Sequence, residues 1–366
     1  MASTFPSEIL LIILGYLAPS TLGTFILNPQ RQKQTEDFKD LVICRLVCRQ
    51  WYEVACTIIY RSTEISYEVL APPGSLAPSK CVLSDDWRSC IRSLSLMGSI
   101  FLYPPSRSPI DLDQFPKVTH LKLLYDLALE ANSSGLEKVF FWSTKSRMDR
   151  IICNLKGLHS HAPTLKSLAI AGGFEEVTLA SCMEFLGGLS AFSHLETFYF
   201  ADTLGPVSGF ASNSLRFNLC SNLKDLYFEI GMLGKAYGPA LKEIVSSFPS
   251  LRAVGLRCAQ VATDNFLGLL DALPLVSHTL QVLVIEDGGV FFSQQPFQDQ
   301  LATLLENRNQ IQDIVSPRYL PLYPPHTTKL FQERMEKLGI DICRGRFYFE
   351  RCWNWSYVDE DQLDIQ

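Results

Sequence analysis

The chain of 366 residues has no run of lysine or arginine longer than a pair, and its net charge is −6. A general binder of nucleic-acid phosphates is not expected from such a surface. The apolar run within Phe5–Leu17 stops at Leu17, short of the ~18 residues a membrane span needs. That same stretch lacks the basic flank and the clean small-residue cleavage site of a secretory signal, and Glu8 sits at its start. No CxxC pair occurs among the eleven cysteines, whose number is odd and whose spacing is irregular. They read as reduced, mostly buried thiols of a cytoplasmic or nuclear protein. The sequence also lacks GxSxG, HExxH, a P-loop and a dinucleotide-binding glycine fingerprint. No catalytic residue and no cofactor are therefore expected. His159 and His161 stand two apart without an acidic partner, and Cys44 and Cys48 are one helical turn apart without further ligands, so no metal site is expected either.

What is present is apolar side chains, 47% of the total, against 19% charged residues. This is a folded profile. The length exceeds what one compact core usually serves, which points to two domains or a repeat array.

The first 60 residues read as three short helices. Pro6 suits a first helical turn and Glu8 complements the dipole there. Ile9 to Leu14 are all Ile or Leu, so the first helix is apolar on several sides. Residues 18–39 are mostly polar and turn-forming and read as a surface loop. Asp40 is a good N-cap for a second helix, with Leu41, Val42, Ile43, Leu46 and Val47 again around most of the circumference. A third helix carries an ordinary stripe of Trp51, Val54, Ala55, Ile58 and Ile59. Three short helices share one interior and can bury one face each. The surplus apolar surface predicts an interaction site.

These residues carry a resemblance. Phe5-Pro-Ser-Glu-Ile-Leu followed by Ile13-Leu14 and Tyr16-Leu17, then Asp40-Leu41, Cys44-Arg-Leu-Val-Cys-Arg-Gln-Trp51 and Val54-Ala55, is similar to the F-box pattern of Leu-Pro-x-Glu-Ile/Leu-Leu and Val-Cys-Arg-x-Trp. Phe5 stands where the family usually has Leu, and the loop between the first two helices is longer than usual. The added length costs little closure entropy. The resemblance implies docking on the Skp-family adaptor of an SCF-type cullin–RING ubiquitin ligase. It implies that Phe5, Pro6, Ile9, Leu10, Ile13, Leu14, Leu41, Cys44, Val47 and Trp51 either bind the adaptor or hold the helices together. It further implies a non-catalytic subunit that recruits a target protein. The alternative is an F-box scaffold acting outside a ligase.

The rest of the chain repeats. Seven segments read Φ-x-x-Φ-x-Φ, beginning at Ile91, Val118, Leu165, Leu195, Leu223, Leu251 and Leu280, at intervals of 27, 47, 30, 28, 28 and 29. The long interval leaves room for a further segment at Leu136–Phe141, and a weaker one falls at Ile311–Ser316. The last two apolar positions share one strand face. Helical stripes lie between: Leu179, Cys182, Leu186 and Leu189; Leu241, Ile244, Val245 and Phe248; Phe266, Leu269, Leu270 and Leu273; Phe297, Leu301, Leu304 and Leu305. Strand–helix repeats of this length resemble irregular leucine-rich repeats without their usual asparagine ladder, and predict a parallel sheet in an open solenoid. The expected fold is thus α plus α/β. A three-helix F-box spans 4–62, a connector with a first strand 63–85, a leucine-rich-repeat-like solenoid 86–345, and a C-terminal cap with an acidic tail 346–366.

In an open solenoid the second strand face lines the concave side. Tyr199 and Tyr227 should be neighbours there, with Asp225, Glu229, Arg257 and Glu286 close by. These six are the expected seat for a target protein. The aromatic stretch 344–358, with Trp353, Trp355 and Tyr357 alternating, reads as the cap of the solenoid's open end.

Overall fold

The computed structural model describes residues 6–15, 17, 25–27, 39–60, 62–66, 88–97, 110–124, 129–130, 135–161, 163–175, 191–202, 222–230, 248, 250–258, 280–286, 295–306, 313–316, 329–339 and 341–344. The expected connector beyond Ser66, the helical stripes at 179–189, 241–245 and 266–273, and the cap and tail at 346–366 lie outside them. Two compact units divide between Val139 and Phe140, within the stretch expected as one solenoid.

The first unit opens with α1 (Ser7–Gly15), α2 (Lys39–Cys44) and α3 (Arg49–Tyr60). The three expected helices are present. Between α1 and α2 the chain forms a short strand, β1 (Phe25–Leu27), inside the stretch expected to be a surface loop. Three consecutive strand-favouring apolar residues explain the difference. β1 pairs in parallel with β2 (Ser62–Ser66), which follows α3 directly. The strand expected to start the sheet is therefore its second member. β2 pairs with β3 (Ser93–Met97) and β3 with β5 (His120–Leu124), all parallel. A separate two-stranded parallel pair joins β4 (Ile110–Asp111) to β6 (Leu129–Glu130).

The second unit contains most of β7 (Lys138–Arg147), then β8 (Ser167–Glu175), β9 (Thr197–Asp202), β10 (Asp225–Ile230), β11 (Ala253–Cys258), β12 (Val282–Glu286), β13 (Asp313–Ser316) and β14 (Asp341–Arg344). Their spatial order is their order in sequence, and the pairs from β8 to β14 are parallel. Three helices accompany them: α4 (Met148–Gly157), α5 (Gln295–Glu306) and α6 (Lys329–Lys337). All seven repeat segments became strands, and both supplementary candidates, at 136–141 and 311–316, did so too. β14, α4 and α6 were not foreseen, nor was the β4–β6 pair. On α5, Leu301 and Leu305 of the expected stripe are buried, with Ala302 between them. The turn that closes α6 runs to Gly339, whose φ of 69° is the left-handed conformation that glycine adopts without a Cβ clash. Arg334 ties α6 to α5 through Glu306 at 2.7 Å and Asp299 at 3.6 Å. The hydrogen bond from Arg334 holds the Glu306 carboxyl below its usual range. That tie is therefore present at neutral pH and fades as pH falls through the lowered value.

The repeat explains itself at the entry of each strand. The first apolar position is buried in each segment where it is described: Ile91, Val118, Leu136, Leu165, Leu195, Leu223, Leu251 and Leu280. The carbonyl of the next residue then accepts two successive amides from the following repeat. Arg92 O takes Thr119 and His120 (2.9 and 3.1 Å), and Thr119 O takes Glu137 and Lys138 (2.8 and 3.1 Å). In the second unit Lys166 O takes Glu196 and Thr197, Glu196 O takes Lys224 and Asp225, Lys224 O takes Arg252 and Ala253, and Arg252 O takes Gln281 and Val282, all at 2.6–3.1 Å. A carbonyl has two lone pairs and here both are used. The backbone thus forms a ladder of its own along the strand entries. Three residues before the first apolar position, Phe115, Phe192 and Phe248 recur, each buried. Their carbonyls close the turn into the strand at Val118 and Leu195 (both 3.1 Å).

Phe192→Ala removes one of these wedges and is expected to destabilise the second unit by about 3–5 kcal/mol. His194→Ala, in the exposed turn beside it, should stay within about 0.5 kcal/mol. Urea titration of the full chain followed by circular dichroism checks both.

Candidate adaptor-binding surface

The helical bundle sorts the expected residues into two groups. Leu10 and Leu14 of α1, Leu41 and Cys44 of α2, and Val54, Ala55, Cys56, Ile59 and Tyr60 of α3 are buried. They form the shared interior, and Trp51 is half-buried at its margin. Leu10 and Leu14 are one turn apart, so α1 presents a single stripe inward. Gln50 donates from Nε2 to Ser7 Oγ at 3.4 Å, linking the start of α3 to the start of α1. Burial pushes the Cys44 thiol up, with the Asp40 carboxylate adding to the effect. Such a thiol packs as a small apolar group and is a poor thiolate ligand. Among the described residues no group of three or more His, Cys, Asp or Glu could hold a metal ion.

The other group faces water. Ile9 and Ile13 of α1, and Val47 in the turn after α2, are exposed. So are Leu11, Ile12, Leu17, Ile43 and Leu46, which the motif positions did not single out. Ile12, Val47 and Leu46 have 58, 60 and 85% of their surface free. On the helical wheel Ile12, Ile9 and Ile13 fill one arc about 100° wide, and Leu11 lies apart from it. Nine large hydrophobic residues are exposed among the described ones, and eight of them fall between Ile9 and Leu17 or Ile43 and Val47. Pro6 is exposed at the start of α1, and Phe5 lies outside the described residues. The signal for Ile12 was in the sequence: an all-apolar helix whose inward stripe needs only two leucines leaves the others outside.

The turn that carries Leu46 and Val47 is anchored from beneath. The Arg45 guanidinium stands 5.0 Å from the Tyr52 ring centre and 5.9 Å from that of Tyr60. Its Nη1 donates to the Tyr60 hydroxyl at 3.2 Å. Burial pushes the Tyr60 phenol up to about 12, against the opposing influence of the nearby guanidinium, so the hydroxyl is neutral at any physiological pH.

Burial corrects the expected target seat at its two tyrosines. Tyr199 and Tyr227 are register partners, as expected. Yet they are only 1 and 4% exposed. Leu168, Ala169, Ile170 and Ala171 of β8 are all buried, as are Phe198, Tyr199 and Phe200 of β9. Successive strand residues point to opposite faces, so both faces of these strands are covered, as is usual for parallel sheets. The apolar character of Phe140, Ala169, Tyr199 and Tyr227 at the same repeat position was the available clue. Asp225 is engaged by its own repeat array: Arg252 donates from Nε and Nη2 at 3.2 and 2.9 Å, and Thr197 Oγ1 lies 3.4 Å away. The side chains of Glu229, Arg257 and Glu286 lie outside the described residues.

A model of the F-box domain matches residues 37–61, which covers α2 and α3. No curated protein matches the chain. F-box domains bind Skp-family adaptors in SCF ubiquitin ligases. α1 falls outside the match, although it packs on α3. In the second unit, the parallel sheet is that of an α/β, solenoid-like fold. No helix among the described residues is long and apolar enough to cross a membrane.

Core and surface roles are separable by stability. Leu14→Ala is expected to cost about 2–5 kcal/mol, whereas Ile12→Ala should change stability by about 0.5 kcal/mol or less. Hydrogen exchange of the α3 amides, read by mass spectrometry on the full chain, gives both values.

Proposed function

We propose that this protein is the substrate-recruiting subunit of an SCF-type cullin–RING ubiquitin ligase. The bundle of residues 4–62 holds a Skp-family adaptor through the exposed side chains of α1 and of the α2–α3 turn. The following array, a leucine-rich-repeat-like solenoid in this reading, holds the target protein. The observation that carries the reading is that exposed large hydrophobic residues gather at Ile43, Leu46 and Val47 of the segment matching an F-box and on α1, which packs against that segment. Each such side chain removed from water by a partner contributes on the order of 1–2 kcal/mol. The chain itself performs no chemistry. It raises the effective concentration of target lysines near ubiquitin activated elsewhere in the complex. The setting is cytoplasmic or nuclear, with neither a membrane nor a nucleic acid as partner.

The double substitution Ile12→Asp with Leu46→Asp is expected to abolish capture of a Skp-family adaptor while leaving the melting temperature within about 2 °C of wild type. Affinity purification with the adaptor measures the first and calorimetry the second. Wild-type yield of adaptor from the double mutant overturns the reading. Recovery of a cullin with the wild-type complex is expected, and its absence would place the protein outside a ligase.

A further inference from the structure

The most exposed apolar side chain in the bundle, Leu46, sits on a three-residue turn rather than on a helix. A docking knob on a turn loses binding energy to ordering unless the turn is held before the partner arrives. Here the holding group is Arg45. Its neighbours in sequence, Leu46 and Val47, point to water, while its own side chain runs inward over two tyrosine rings of α3. The guanidinium lies 5.0 Å from the centre of Tyr52 and 5.9 Å from that of Tyr60, within the range where ring quadrupoles attract a cation. One nitrogen also donates to the Tyr60 hydroxyl. Tyr60 is itself buried in the last turn of α3, so the anchor point is part of the core. Two backbone bonds complete the turn, Leu46 N to Ile43 O at 2.9 Å and Val47 N to Cys44 O at 3.2 Å. These bonds fix the backbone locally. The contacts of Arg45 fix the turn against α3.

We infer that Arg45 is a positioning residue for adaptor docking: clamped on Tyr52 and Tyr60, it presents Leu46 and Val47 in the geometry the partner meets. The inference rests on the adaptor-binding reading proposed above. Arg45 makes no contact with the partner in this scheme. Its effect passes through the turn it holds. A lysine at this position keeps a cation over the rings but lacks the planar fork, so it substitutes in part.

The test uses the full chain and a purified Skp-family adaptor in a surface-binding assay, with hydrogen exchange of the free chain alongside. Arg45→Ala is expected to weaken affinity about tenfold and to speed exchange at the Leu46 and Val47 amides. Arg45→Lys is expected to recover part of both. Tyr60→Phe keeps the ring and its volume and removes only the hydroxyl, so it tests the clamp even if Arg45→Ala does not fold. It should speed exchange at the same amides and weaken binding about two- to threefold. Leu46→Asp is the control for the site itself and should abolish binding. If Leu46→Asp abolishes binding while Arg45→Ala and Tyr60→Phe leave affinity and turn exchange unchanged, Arg45 has no positioning role and the adaptor site stands. If Leu46→Asp binds as wild type does, the adaptor site is wrong and the inference falls with it.

Discussion

Three helices of nine, six and twelve residues enclose room for little more than one row of side chains from each. That geometric limit governs the front of this molecule. Leu10, Leu14, Leu41 and Cys44 meet the buried face of α3 and fill the available interior. Every further large apolar residue on α1 and the α2–α3 turn is left outside by lack of space. A sequence that spends Ile9, Leu11, Ile12, Ile13, Ile43, Leu46 and Val47 on such positions has placed hydrophobic surface where folding alone gains nothing from it. Association with another polypeptide is the process that recovers it.

The strand array follows a different constraint. Its strands are parallel, so each needs a crossover, and each crossover must return the chain to the next position without drifting in register. The doubled acceptor role of one carbonyl per repeat fixes that position from the backbone alone. The buried Φ position just before it and the phenylalanine wedge three residues earlier set the depth. Side-chain ion pairs such as Lys224–Glu196 at 3.1 Å and Arg252–Asp225 at 2.9 Å decorate the same row. The half-exposed Lys224–Glu196 pair adds little beyond what the amides already fix, whereas Asp225 is mostly buried and takes two bonds from Arg252.

Much of this was legible from residue order. Strand positions could be read because Φ-x-x-Φ-x-Φ at an interval near 28 combines a period-two signal with a repeat length, and the two agree from Leu165 through Leu280, while Val118 to Leu136 is shorter. β1 escaped because Phe25–Leu27 is too short to show periodicity and sits among polar residues. β14 escaped because Asp341–Arg344 offers only Ile342 and Cys343 in an otherwise polar context. α1, α2 and α3 were visible, but their core and surface members were not separable. An all-apolar helix carries no phase, and only packing against α3 chooses Leu10 and Leu14 over Ile9 and Ile13. The sheet surface misled for the opposite reason. Tyr199 and Tyr227 have a polar tip, so alternation placed them outward on a face assumed open, whereas parallel strands here are covered on both sides. Arg45 gave no signal, since an arginine over two tyrosines is a meeting of side chains seven and fifteen positions apart.

Among the described residues the doubled amide-to-carbonyl step stands where a strand begins. Downstream of it, intervals of 28 to 30 residues between Leu165 and Leu280 already coexist within the second unit. Insertions on the exit side therefore leave the strand lattice undisturbed, because each new strand is re-zeroed at its own entrance. An array built this way can diversify the connecting segments freely while the scaffold beneath stays fixed, which separates the evolution of what the molecule recognises from the evolution of how it folds.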